Sequence, residues 1–300
     1  MSTEQQAGRA GRVAIVSAGV LWGTAGTAQA LGHLSGMGLA VGGARTIVAA
    51  SALAAFAAIT RRHWPLTKWS SAMFLAAVGA GAALALYQTM FFVGAAKTGV
   101  AIGTLVAVGL APVIAGGIAV LVRRSPSRSW MLATSLSIVG LCLLLLRTSS
   151  PVDAWGIAAA VSAAFAYVGY TAMTRRLFEL GGQPLDILIV IFMIGALISA
   201  PTIALNWDQT VLAAGETRAL VAILVLGLVS TFVPYLLWIR GMRTVPTTMA
   251  TTLSLSEPLV GTLLGIVILG ERLTPVRAAG AALLVAGLAF ASLTRPVQRR

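Results

Sequence analysis

The sequence predicts an all-α integral membrane protein, ten transmembrane helices built as two inverted five-helix repeats. Three observations predict it. Hydrophobic residues are 58% of the 300-residue chain and charged residues only 10%, too few to cover a soluble domain of that length. Ten apolar segments follow one another with short connections, each long enough, at about 17–25 residues, to cross a bilayer as a helix. A segment of the first half also recurs in the second.

The expected spans are 13–32, 38–60, 70–93, 98–122, 129–146, 153–173, 184–205, 217–239, 247–269 and 276–294. Short connections make sequential helices antiparallel neighbours. Met1–Arg12 is a polar, basic tail; the long glycine-rich segment after it reads as a first span and not as a cleaved signal peptide. The net charge of +13 is spread over short clusters between apolar runs, a pattern of membrane orientation and not of nucleic-acid binding. Fifteen Lys and Arg residues fall on the side of the termini. Five (Lys97, Arg147, Arg218, Arg272, Arg277) fall on the other, and Arg45 lies inside a span. Both termini are therefore expected in the cytoplasm. The single cysteine, Cys142, excludes an intrachain disulfide and a Cys-based metal site.

Ala95–Pro112 aligns with Gly241–Pro258, placing Lys97 on Arg243, Thr98 on Thr244 and Pro112 on Pro258. The first copy joins spans three and four, the second joins spans eight and nine. With an odd number of spans per half, the copies insert in opposite senses, as in many secondary transporters. The expected organisation is a 1–12 tail, repeats at 13–146 and 153–294, a 147–152 linker and a 295–300 tail.

Leu21–Thr24 (LWGT), the Arg45-led second span, Glu257-Pro258, the turn Leu269-Gly270-Glu271-Arg272-Leu273, and Gly280 and Gly287 together resemble the EamA family of the drug/metabolite transporter superfamily. The first copy departs from the pattern, with Ala111 before Pro112 and Arg123-Arg124-Ser125 where a Gly-Glu turn would stand. The resemblance implies ten helices in two inverted repeats and export of small metabolites, commonly amino acids, aromatic or other neutral ones among them. Drug, cation or nucleotide-sugar carriage is the alternative within the superfamily.

Candidate site residues follow in chain order. In span one, Gly19, Gly23, Gly26 and Ala30 form a small-residue ridge suited to close helix packing, with Trp22, Thr24 and Thr27 beside it as cavity candidates. Ser35, Gly36 and Gly38 look like a turn. Arg45 is a candidate charge contact, or it snorkels to the headgroups. Tyr87, Gln88 and Phe91 in span three, Tyr167, Tyr170 and Thr174 in span six, and Thr231, Tyr235 and Trp238 in span eight each form an aromatic and hydroxyl face at helical spacing. Such side chains join apolar area to a hydrogen-bonding tip, which suits a cavity for an amphiphilic solute. Their alternative is an interfacial belt, which suits Trp64, Trp69, Trp130, Trp155 and Trp207 at span ends. Thr104 in span four falls opposite Ala250 in the repeat alignment.

In span nine, Ala250, Ser254, Glu257 and Gly261 share one face, and Pro258 kinks or breaks the helix. Two readings of Glu257 stand. It binds a proton or a substrate ammonium, or it bonds backbone groups freed by Pro258 or pairs with Arg45. His33 and His63 lie at span ends without catalytic or metal-ligand spacing, and no ATPase motif occurs. The expectation is a secondary transporter, not an enzyme, with no metal and no cofactor. Its expected partners are a small-molecule substrate and the lipid bilayer, without nucleic acid, as a monomer or weak dimer in the inner membrane.

Overall fold

The computed structural model describes residues 3–34, 37–60, 69–122, 126–145, 153–209, 215–270 and 272–293. Outside them lie the Ser35–Gly36 turn, Arg61, Arg62, His63, Trp64, Lys68, Arg123–Ser125, Arg147, the 147–152 linker, Glu271 and the 295–300 tail.

The described residues contain ten helices long and apolar enough to span a membrane. They are Gln6–Leu31, Gly38–Ile59, Ser71–Thr98, Ile102–Leu121, Arg128–Leu145, Ala154–Glu179, Pro184–Leu205, Thr217–Met242, Thr247–Leu269 and Pro275–Leu293. Leu75, Leu197 and Val267 are among many large apolar side chains left exposed on their outer faces, as lipid contact requires. The basic N-terminal segment is helical. Its helix already starts at Thr3, and Arg12 reaches across to the Ser292 carbonyl at 2.6 Å.

Helix ends are fixed by local chemistry. Ser70 and Asp153 cap spans three and six by accepting from the Met73 and Gly156 amides. Spans three and four are joined through Gly99 alone, at φ 84°, a conformation that favours glycine. Gly270, at φ 72°, ends span nine in the left-handed region.

The packing obeys the internal repeat. Span three lies along span six, and its counterpart, span eight, lies along span one. Spans two and seven pair with each other, as do spans five and ten. Exchanging halves one to five with six to ten maps these pairings onto themselves, as two-fold-related repeats require, and five spans in each half make the repeats inverted.

Three spans are interrupted. Span one breaks at Gly23, between helices Thr3–Trp22 and Thr24–Leu31. Span eight carries a π-helical turn, Leu228–Phe232. Span nine splits between Thr247–Leu253 and Ser256–Leu269. Pro258 causes that split: it has no amide for the Ser254 carbonyl and its ring crowds that residue. The Glu257 amide takes the Ser254 carbonyl instead, at 3.0 Å. Pro112, its counterpart, sits inside the unbroken helix Val100–Leu121, so the repeats differ at their most alike position.

Candidate functional site

A cavity of about 650 Å³ lies between the halves. Its deep end is walled by Trp22, Arg45, Tyr235 and Glu257. Its other end reaches Ala30, Gly99, Leu269 and Arg277, at the span ends away from both termini. Ala30, Gly99 and Leu269 are exposed there, so the cavity opens on that side. Toward the termini it is sealed. Tyr170, Trp238, Met242 and Leu253 are fully buried in one core cluster, and Tyr170 stacks on Trp238 with centroids 5.0 Å apart.

The structure sorts the expected site residues by this geometry. Trp22, Thr27, Arg45, Tyr87, Gln88, Phe91, Thr104, Tyr167, Tyr235 and Glu257 all border the cavity. Thr24, Tyr170, Thr231, Trp238 and Ser254 do not. Tyr170 and Trp238 form the sealed floor, a turn further along the same faces as Tyr167 and Tyr235. Ser254 is buried where span nine breaks, its hydroxyl bonded to the Thr251 carbonyl at 2.9 Å. Thr24 and Thr231 belong to a polar node behind the wall.

The small-residue ridge of span one also divides. Gly19 and Gly23 pack against Ser256, Glu257 and Val260 of span nine, whereas a Cβ on Gly26 would meet open space. Trp130 is no belt residue. Its Nε1 donates to the Thr248 carbonyl and the Thr252 hydroxyl, both at 3.1 Å, tying span five to the first half of span nine. Trp155 and Trp207 are exposed and fit the belt.

The wall is aromatic with polar tips. Trp22 meets Tyr235 edge-on at 5.1 Å, and Tyr87 lies 5.2 Å from Tyr167. Among the described residues, Trp22 Nε1 and Gln88 Nε2 are buried without a hydrogen-bond partner. A buried polar group left so costs about 1–3 kcal/mol, and here each belongs to a side chain bordering the cavity.

Two opposite charges share this wall without pairing. Glu257 is half-buried in the first turn of the Ser256–Leu269 helix, where the helix dipole favours an anion. Among the described residues its carboxylate takes part in no ion pair, and no backbone amide bonds it. The structure thus shows neither the Arg45 pair nor the backbone support that span nine suggested. Arg45 does not snorkel either. It is 6% exposed, with Nε on Thr231 Oγ1 at 2.9 Å and Nη2 on the Ser230 carbonyl at 3.2 Å. Its guanidinium carbon stands 5.8 Å from the centre of the Phe92 ring, within range of cation–π attraction.

Sequence reasoning missed the π-turn and Ser230. Pro234 was the available signal, since it deprives the Ser230 carbonyl of an α-helical partner. It also missed Arg277 and Thr262 on the wall. Among the described residues no cluster of His, Cys, Asp or Glu is arranged to hold a metal.

An inverted-repeat bundle with a charged, aromatic cavity open to one side is the architecture of a membrane carrier. The sequence matches the EamA-like transporter family over residues 9–146 and 154–293. It is 38% identical over 284 residues to the "Uncharacterized transporter YwfM" of Bacillus subtilis (strain 168), covering 91% of this chain and 90% of that one. A solved crystal structure shares the fold with a TM-score of 0.77 at 18% identity, over 94% of this chain and 97% of its own. The chain belongs to the EamA family of the drug/metabolite transporter superfamily, and it is a multi-pass membrane transporter.

Proposed function

We propose that this transporter exports small zwitterionic metabolites, foremost neutral and aromatic amino acids, by alternating access. One observation carries the reading: Arg45 and Glu257 border one aromatic-lined cavity of about 650 Å³ without forming an ion pair with each other. A zwitterion brings a carboxylate and an ammonium that answer both charges. The aromatic faces of Trp22, Tyr87 and Tyr235 take its apolar part. A lone cation would leave Arg45 facing a like charge, which disfavours the drug and cation reading.

The Lys and Arg distribution supports an inner-membrane protein with cytoplasmic termini. In that orientation the cavity faces outward, the state that releases cargo. The cargo and the bilayer are its partners, and the chain works as a monomer or weak dimer without a cofactor.

Counterflow tests the reading. Liposomes containing the purified protein and preloaded with unlabelled amino acid should take up the same labelled amino acid transiently and saturably. Absence of exchange for every neutral amino acid, by protein that remains folded, overturns it.

A further inference from the structure

Behind the cavity wall three spans meet at a single polar node. Its centre is the π-turn Leu228–Phe232. An inserted residue of this kind costs helix stability and is frequent at functional sites. Pro234 is part of its cause. In an α-helical ladder the amide of residue 234 would bond the Ser230 carbonyl, and proline has no amide. Arg45 Nη2 donates to that carbonyl instead, at 3.2 Å.

The hydroxyls of the turn have fixed directions. Thr231 Oγ1 donates to the Leu226 carbonyl at 2.7 Å and so accepts from Arg45 Nε at 2.9 Å. Thr24 Oγ1 donates to the Leu21 carbonyl at 2.6 Å. The Ser230 hydroxyl, 2.7 Å from Thr24, must then be the donor of that contact. Span one is thereby latched to the turn that holds Arg45.

The result is a guanidinium fixed by two of its three nitrogens. Nη1 makes no hydrogen bond with the described residues, and Arg45 borders the cavity. A side chain held this way keeps one donor edge presented with little freedom to lose on binding, the condition for anion recognition by arginine.

We propose that the π-turn of span eight is a cradle that presents Arg45 as the receptor for the carboxylate of the solute, with Thr231 and Pro234 as positioning residues. This rests on the cavity being the solute-binding site proposed above. Thr231 and Pro234 touch the solute only through Arg45. Their loss weakens binding of carboxylates and leaves binding of matched neutral amides unchanged.

The experiment is a binding titration on the purified full chain in detergent. Its probes are neutral amino acids and their C-terminal amides, which keep the ammonium and side chain but lose the anionic carboxylate. The wild type should hold the amino acid on the order of tenfold more tightly than the amide, the value of about one charged hydrogen bond. Thr231→Val should abolish that ratio without changing amide affinity, and Thr231→Ser should restore it. Pro234→Ala is the second arm and does not endanger folding. It returns an amide to the Ser230 carbonyl, so it should lower the ratio while leaving the helix as stable or more so.

Equal loss of amino acid and amide binding in Thr231→Val would mark a packing residue and overturn the proposal. So would a wild type that binds no amino acid more tightly than its amide, or an unchanged ratio in Pro234→Ala. Discrimination that depends on Thr231, in a protein that shows no counterflow, would sink the transport substrate and leave the receptor standing.

Discussion

Gly23 of span one lies against the carbonyl of Glu257: a Cβ built on it would stand 2.7 Å from that oxygen. The broken part of span one and the second half of span nine are thus locked backbone to backbone, which fixes the height of the Glu257 carboxylate. Gly23→Ala should force the two helices apart, lowering thermal stability and exchange together. Gly26, one turn on, has open space before it. Gly26→Ala should fold as the wild type does, and Gly26→Leu should also fold while excluding the larger amino acids from exchange. Melting temperature and counterflow across side-chain sizes check both.

The Glu257 carboxylate makes no hydrogen bond or ion pair with the described residues, so its removal costs the fold no such bond. Glu257→Gln and Glu257→Leu should both melt no lower than the wild type, and both should lose exchange. If the carboxylate binds the ammonium as an anion, acid that protonates it removes binding. Wild-type exchange then falls on the acid side, a limb the Gln variant lacks. A Gln variant with full exchange and an unchanged pH profile would falsify the charged role.

Tyr87 and Trp238 separate the wall from the floor. Tyr87→Ala should weaken substrate affinity with little change in stability, because one side of its ring already borders the cavity. Trp238 is fully buried and does not border this cavity. Trp238→Ala should cost about 3–5 kcal/mol of stability as an internal void forms. Denaturation in detergent beside binding of a single amino acid distinguishes the two effects.

Asp153 gives a pH-dependent contribution outside the membrane. Its carboxylate accepts from the Gly156 amide at 3.0 Å and lies 3.6 Å from Lys97 Nζ. The amide bond, then the lysine charge, hold its carboxyl below the ordinary carboxylate range. A group depressed in the folded state stabilises fully above its unfolded value and ceases to do so as pH falls through the folded one. Asp153→Ala should therefore melt below the wild type at neutral pH, and the gap should close in acid. Asp153→Asn should keep much of the cap at every pH.

The orientation is checked by single cysteines at Ser2 and Gln298 in a Cys142→Ser background. Both should be shielded from an impermeant thiol reagent in intact cells and should react once the membrane is opened. Labelling of both in intact cells would reverse the orientation, and with it the side to which the cavity opens.

The spans were legible because apolar length measures itself against the bilayer, and the break before Pro258 because proline acts on the residue four positions earlier. The cavity was legible only as faces. Helical spacing puts Tyr167 and Tyr170 together, and depth along the bundle then assigns one to the wall and the other to the floor. Trp130 shows the same limit: its place at a span end suggested lipid, and its partner on span nine, 122 residues away, decided otherwise. Pro234 was in plain sight as a helix disruptor. That its freed carbonyl is met by Arg45, from 185 residues earlier, follows from tertiary packing alone.

Only the second half breaks its helix at the repeat proline, and only that half carries a carboxylate beside it; the first has Pro112 in a continuous helix behind Ala111. Were the halves equivalent, the states open to either side would be related by a two-fold rotation and would bind cargo alike. Here they are not. A carrier without an energy source must keep the ratio of maximal rate to half-saturating concentration equal in both directions, yet each quantity is free to differ. This asymmetry lets the two faces saturate at different concentrations.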